Sequence, residues 1–342
     1  HLWKAANKSL ADKSFTCPDL IEPKVTFTSA SIYKETPCRC EIDPNKKAAY
    51  DAEVEHIKQF NKLLVKLSDT YVQTPSERNE IAQCVVQHAE YWASNGAMLG
   101  DHQNSVGFHK TAETLGAVAN SYLKIRHADN MPDTDEYSLI GSWMASAAEK
   151  VIDFYAESAG GRTRVNNHRY WDGFHVGKAS VILQNQRLFD WAIEGLIIGL
   201  DQVTEDGILP REYERGSMAY KYHVYAVAPL VGLAELAIDN PGNIAEYFYP
   251  YAYNEGALPR LINMLLNEEG NADDTLFTRA DNMQCHQASW MDMYLHRSPR
   301  SDKDAIQTDI TERRGNCNGK LKYTLLGGNM TLMAGKPTES NS

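Results

Sequence analysis

The stretch LFDWAIEGLIIGLDQV, residues 188–203, decides the architecture. Leu188, Ala192, Leu196 and Leu200 recur every four residues and Val203 follows, so one apolar stripe runs along a helix. The same period recurs outward. From Lys47 to Lys66, and on to Leu67, residues Tyr50, Val54, Ile57, Leu63 and Leu64 fall mostly at three- and four-residue spacing. Thr74-Pro75-Ser76-Glu77 reads as an N-cap threonine, a proline at the first helical position and a glutamate three residues after the cap. It opens a helix through Cys84, Val85, His88 and Trp92 to about Gly96. Further helices are expected over 108–126, 137–158, 171–184, 188–204, 217–238, 257–268 and 283–296. Strand signals are confined to 25–28, 320–326 and 329–334. Many helices of similar length joined by short polar turns predict an all-α fold of stacked helical hairpins. No strict repeat of the solenoid kind occurs.

Around this helical body, residues 1–45 are irregular, with prolines at 18, 23 and 37 and a long loop over 31–44. Residues 46–335 form the expected helical domain. The segment 298–320 reads as a charged loop and KPTESNS, 336–342, as a disordered tail.

The chain has 342 residues, 43% hydrophobic and 23% charged, enough to bury a sizeable core. No run approaches the roughly 20 apolar residues that span a bilayer. No leader-like segment is present, so any secretory signal is expected to have been removed. A net charge of −11 argues against nucleic-acid binding through a basic face. The six cysteines, at 17, 38, 40, 84, 285 and 317, lack the CxxC spacing of a zinc site. Two readings stay open: buried thiols, or disulfides in an oxidising compartment. The even count favours the second, with Cys17–Cys84, Cys285–Cys317 and Cys38–Cys40 as the guessed pairs.

Chemistry concentrates in RVNNHRYWDG, 164–173, and REYERGSMAYKYHVYA, 211–226. Arg215 and Tyr222 stand seven residues apart, almost two helical turns, and point the same way if Arg215 lies at the first turn. Asn167, His168, Arg215 and Tyr222 supply an amide, an imidazole, a permanent cation and a phenol. That set suits removal of a proton alpha to a carboxylate. Asn167 and Arg215 would neutralise the carboxylate, a base would take the proton, and an acid would protonate the leaving oxygen. Nearby cations are expected to lower the phenol of Tyr222 from its usual ~10 until it serves as base and then acid. Trp171 offers a face for a sugar ring. Each residue has a blander reading: His168 as a satisfied structural residue, Tyr222 as packing among other tyrosines, Arg215 as a partner of Glu212 or Glu214, Trp171 as a core anchor. Only the combination outweighs these.

The segments NNHRYW (166–171), LFDWAIEG (188–195), DQVTEDGILPRE (201–212) and YHVYAVAPL (222–230) together resemble the polysaccharide lyase family 5 alginate lyases, the mannuronate-cleaving enzymes. Weaker similarity extends to VTFTS (25–29), LGAVANSYLKI (115–125) and LLGGNMT (325–331). The resemblance implies an incomplete α/α toroid with a lid loop near the N-terminus, a groove for an anionic polysaccharide, and metal-independent β-elimination with no cofactor. It implies that Asn167 and Arg215, with His168, neutralise the carboxylate and that Tyr222 protonates the leaving oxygen. Tyr222 would also be the base for mannuronate, and His168, from the opposite face, the base for glucuronate. Tyr33, Lys34 and Arg39 are lid-loop candidates without a one-to-one match, because the chain reads ASIYKETPCRC there. Asn104, His109 and Lys110 fall where substrate-contacting side chains are expected, and Arg169 and His223 are added as substrate contacts. Arg162, Arg164 and Arg169 would make the groove locally basic on an acidic body. The implied protein is a monomer, periplasmic or secreted, with alginate as substrate and neither nucleic acid nor membrane as partner. Alternatives are a lyase of glucuronan, a hydrolase drawing two carboxylates from Asp201, Glu205, Asp206, Glu212 and Glu214, and a non-catalytic carbohydrate-binding protein.

Overall fold

The computed structural model describes residues 15–135, 137–240, 248–269, 277, 282–295 and 300–333. Helix α1 (Pro44–Gln73) begins where Asp43 accepts hydrogen bonds from the amides of Asn45 and Lys46, with Pro44 in the first turn. It runs seven residues beyond the expected Lys66 because Leu67, Ser68, Asp69 and Tyr71 are also buried. The expected capping box at Thr74 does not form. Pro75–Glu77 is a single 3-10 turn without a side-chain cap, and Glu77 accepts instead from the amide of Phe15. Helix α2 (Arg78–Ser94) follows, then α3 (Ser105–Ile125), α4 (Leu139–Asp153), α5 (Asn167–Leu183) and α6 (Gln186–Asp201). After the short α7 (Pro210–Tyr213) come α8 (Ala219–Asp239) and α9 (Tyr253–Glu268). The regular part of α9 starts after a left-handed stretch, Asn254–Glu255–Gly256.

The long helices pack as the hairpin pairs α1/α2, α3/α4, α5/α6 and α8/α9. Successive contacts run α1 to α3, α3 to α5 and α5 to α8 inside, with α2 against α4 and α6 against α9 outside. Two concentric rows of helices in this order make the incomplete α/α toroid. Helix α5 ties the halves together: Tyr170, Trp171 and Phe174 belong to the C-terminal apolar core, Val176 and Ala179 to the N-terminal one.

The C-terminal third differs from expectation. The helix expected over 283–296 shrinks to α10 (Trp290–Tyr294), and residue 296 lies outside the described residues. The segment 298–320 is not a loop but carries α11 (Arg300–Asn316). Among the described side chains its buried apolar anchors are Ile306 and Ile310, four apart, in an otherwise mostly polar sequence. Arg313 pairs with Glu269 and Asp309, and Arg314 with the buried Asp292. Strands β1 (Lys322–Tyr323) and β2 (Gly328–Asn329) form a two-stranded antiparallel sheet before α12 (Met330–Met333). Residues 25–28 are extended without a strand partner; they dock on the loop before α3, where Gly100 N–H donates to Val25 O at 3.0 Å. The expected tail, 336–342, lies outside the described residues.

All three guessed disulfides form. Cys17–Cys84 pins the N-terminal segment to α2, and Cys285–Cys317 joins the turn before α10 to the end of α11. Cys38–Cys40 closes the tip of a hairpin-like lid, whose base is the Tyr33–Ile42 bridge and the Lys34 N–H to Glu41 O bond of 2.9 Å.

Candidate active site

The lid leans over a cleft of about 830 Å³. Asn167, His168, Trp171, Arg215, Tyr222, Tyr33, Arg39, His109 and Lys110 all line it. The doublet Asn166-Asn167 divides its work. Asn166 caps α5 by accepting from the amide of His168 at 3.1 Å, which starts the helix four residues before the expected 171. Asn167 then falls on the first helical position, buried. Its backbone N–H and its Nδ2 donate to the two oxygens of Glu212, each at 2.8 Å, and its Oδ1 is buried without a partner.

Glu212, only 1% exposed, is the site residue that the sequence offers merely as a partner of Arg215 or one of five hydrolase carboxylates. It is carried by α7, whose position depends on His223. The amide of Leu209 donates to His223 Nε2 at 2.9 Å and the other ring nitrogen faces Ala219 O at 2.8 Å, so the ring is neutral with its proton on Nδ1. Burial lowers this imidazole to about 4. His223 is thus a buried prop and not the expected substrate contact. One position after Tyr222, it is turned by about 100° away from the cleft.

Burial raises the Glu212 carboxyl to about 6, against the pull of the Asn167 bonds, Arg215 and Arg162. The folded state therefore holds a proton that the unfolded chain has released between pH 4.5 and 6, so stability falls as pH rises through that window. The loss is about 2 kcal/mol, at 1.36 kcal/mol per unit. Glu212→Gln is expected to flatten this slope, measured by urea unfolding at pH 4.5 and 6.5; an equal slope in both proteins would refute the assignment.

Arg215 sits before α8 and is tied to the lid. Its Nε donates to Cys38 O at 3.0 Å and its Nη2 to Arg39 O at 2.5 Å, while the guanidinium lies 3.6 Å from the centroid of the Tyr222 ring. Tyr222 OH donates to Tyr33 OH at 2.8 Å. Here the expected chemistry needs correcting. Burial pushes the Tyr222 phenol above 10, and the opposing Arg215 does not offset it. The resting phenol is protonated, an acid before it is a base. His168 is held well below 6.5, first by burial and then by His109, Lys110, Arg215 and Arg39. It is a neutral imidazole, not a positive charge stabiliser.

Other expectations also change. Trp171 is 3% exposed, with Nε1 donating to Tyr225 O at 3.1 Å and its ring against Phe174, Tyr225 and Tyr323. It is a wall of the cleft packed into the core, not an open stacking platform. Arg169 is 3% exposed and points at α6, donating to Trp191 O and Glu194 and lying over the Trp191 ring. Gly195 makes that possible, since a Cβ there would sit 2.6 Å from Arg169 Nη1. Asn104 caps α3 and donates to Thr28 O, and Lys34 is an exposed partner of Glu41; neither lines the cleft. Of the expected arginine cluster only Arg162 lines it; Arg164 donates to Ala159 O and Ala156 O of its own loop.

The cleft is nevertheless cationic. Arg39, Lys110, Arg162, Arg211, Arg215 and Lys221 line it against Glu113, Asp172 and Glu212. Each of those carboxylates is engaged, Glu113 by Lys110, Asp172 by His109 and Tyr155, and Glu212 by Asn167. Among the described residues the one three-ligand cluster suited to a metal, Cys17, Cys84 and His88, lies outside the cleft and has both cysteines in a disulfide.

A family model described as alginate lyase matches residues 27–274. An alginate lyase of Azotobacter vinelandii is 28% identical over 258 residues, 73% of this chain and 66% of that protein, so the matched part is just under two thirds of this relative's length. A polysaccharide lyase of Stenotrophomonas maltophilia is 29% identical over 299 residues, 86% of this chain and 83% of that protein. The crystal structure of alginate lyase A1-III from Sphingomonas species A1 covers 95% of this chain, and 88% of itself, with a TM-score of 0.71 at 20% identity. A variant of A1-III complexed with tetrasaccharide superposes over the same shares with a TM-score of 0.75, also at 20% identity. With the family model spanning most of its length, the chain belongs to the alginate lyase family.

Proposed function

We propose that this protein is a polysaccharide lyase that cleaves the 1,4-linkage of alginate by β-elimination, leaving a 4,5-unsaturated uronate at the new end. The observation that carries the reading is the meeting of Asn167, His168, Arg215 and Tyr222 in one cation-lined cleft. Arg215 and the free N–H of Asn167 would bind the uronate carboxylate and stabilise the enediolate charge as the C5 proton leaves. The electron pair forms the C4–C5 double bond, the C4–O bond breaks, and the Tyr222 hydroxyl protonates the departing oxygen.

The choice of base depends on stereochemistry. Mannuronate and glucuronate differ only at C2, so in both the C5 proton and the C4 oxygen share a face, and the expected His168 route for glucuronate does not follow. Both units call for Tyr222 as base and acid, so its resting proton must first leave to solvent; the phenolate then takes the C5 proton and passes it to the leaving oxygen. Guluronate, inverted at C5, presents the proton on the opposite face. A neutral His168 and a protonated Tyr222 can run that anti elimination from their resting states, which favours guluronate-containing stretches as a second reading.

Incubation with polymannuronate, polyguluronate and glucuronan separates these readings by the ultraviolet absorbance of the unsaturated product. New reducing ends without absorbance would mean a hydrolase, and neither signal would mean binding alone. The cleft's charge adds a prediction. Screening acts within about 8–10 Å at physiological salt, so raising salt is expected to increase KM severalfold with little change in kcat. A KM indifferent to salt would count against the cationic cleft as the binding surface. The family and the disulfides support an exported enzyme; that it acts as a monomer is our reading, which size-exclusion with light scattering tests.

A further inference from the structure

Beside the four residues of the proposed reaction lies a buried group that it does not use. Asp172, one turn after His168 on α5, is 1% exposed. Its Oδ2 meets His109 Nδ1 at 2.6 Å and accepts from Tyr155 OH at 2.9 Å. A carboxylate can only accept there, so Nδ1 of His109 carries a proton. The His109 ring stacks on the His168 ring, with centroids 4.0 Å apart and planes at 12°, and Phe154 meets its edge at 6.0 Å. Among the described residues His168 uses only its backbone N–H, toward Asn166, and neither ring nitrogen is hydrogen-bonded. The stack is therefore the contact that orients this imidazole.

We propose that His109, anchored by Asp172 and Tyr155, is a positioning residue that fixes the His168 ring and keeps it uncharged. The His109 ring, 4.0 Å from His168, is after burial the largest influence holding His168 below its usual value. A second cation at such a distance disfavours protonation of His168. The other charged groups facing the pair are Lys110 on α3, Arg39 on the lid and Arg215 before α8, all cationic, with Glu212 behind Asn167. Removing His109 leaves those in place, so its own share is measurable.

This inference rests on the lyase reading for its kinetic test only. In His109→Phe, which keeps an aromatic ring in the stack, the His168 midpoint followed by NMR of isotope-labelled histidine is expected to rise by about one pH unit. On a substrate that takes the His168 route, the acid limb of kcat/KM should move up with the His168 midpoint in His109→Phe. There kcat should fall about tenfold while KM stays within twofold. A His168 midpoint unmoved in His109→Phe overturns the inference whatever the activity. A raised KM with unchanged kcat also overturns it, making His109 a substrate contact instead. A wild-type protein inert toward every uronate polymer would sink the lyase reading and leave the titration test standing. Should His109→Phe fail to fold, His109→Gln with the same titration decides.

Discussion

Tyr222→Phe is expected to reduce kcat on alginate by about 10²–10⁴-fold, the range for loss of a positioned acid or base. The hydroxyl is the group that can protonate the leaving oxygen, and burial keeps it protonated until substrate arrives. The substitution removes one oxygen and one hydrogen bond, to Tyr33. Both rings remain, 6.5 Å apart, and the Arg215 guanidinium can still lie over the ring. The stability cost is therefore small, about 1 kcal/mol. Ultraviolet assay of product, beside circular dichroism and thermal unfolding, checks both halves. A folded variant within tenfold of wild-type kcat would remove Tyr222 from the chemistry. Tyr33→Phe deletes the partner on the lid and should cost far less, since Tyr222 keeps its own proton.

Asp69→Ala is the substitution with the largest expected effect on stability. Asp69 on α1 holds Lys124 of α3 at 2.6 Å and accepts from the amide of Asn329 in β2 at 3.0 Å. Lys124, whose side chain is 1% exposed, also donates to Gly327 O at 2.6 Å, as Asn120 does at 2.8 Å. One buried ion pair thus clamps the C-terminal sheet onto two inner helices. Deleting the carboxylate strands an ammonium in a place where burial already lowers its pKa. Breaking a buried pair from one side costs about 3–5 kcal/mol. Urea unfolding measures it, and a cost under 1 kcal/mol would show that water reaches Lys124. Replacing both partners, Asp69→Leu with Lys124→Met, should recover most of the loss because no charge is then stranded.

Much of the helical frame was legible because burial writes itself into spacing. The stripe from Leu188 to Leu200 is buried along α6, and α1, α3 and α8 follow the same rule. α11 escaped because two isoleucines among charges make too weak a stripe; its pairing with Glu269 and Asp292 is tertiary. The four residues proposed for the reaction were also legible, by residue type and resemblance together. Their neighbours were not, since each successive residue of α5 turns by about 100°. Starting that helix at 167 and not 171 carries Arg169 round to α6 and leaves Asn167 and His168 at the cleft.

By itself, then, the sequence determined the all-α hairpin architecture and, with the resemblance, the four residues that converge, because periodicity and residue chemistry are local properties; the disulfide pairs were guesses that the fold made good by bringing the cysteines together. Only the tertiary structure decided which groups are charged. A phenol beside an arginine reads as acidified until its burial is known, and burial reverses the sign at Tyr222. It also decided that Trp171 is a packed wall of the cleft and that Arg169 and His223 stand behind it. And it brought His109 from α3 against His168 on α5, a contact between residues 59 apart that no spacing along the chain could announce.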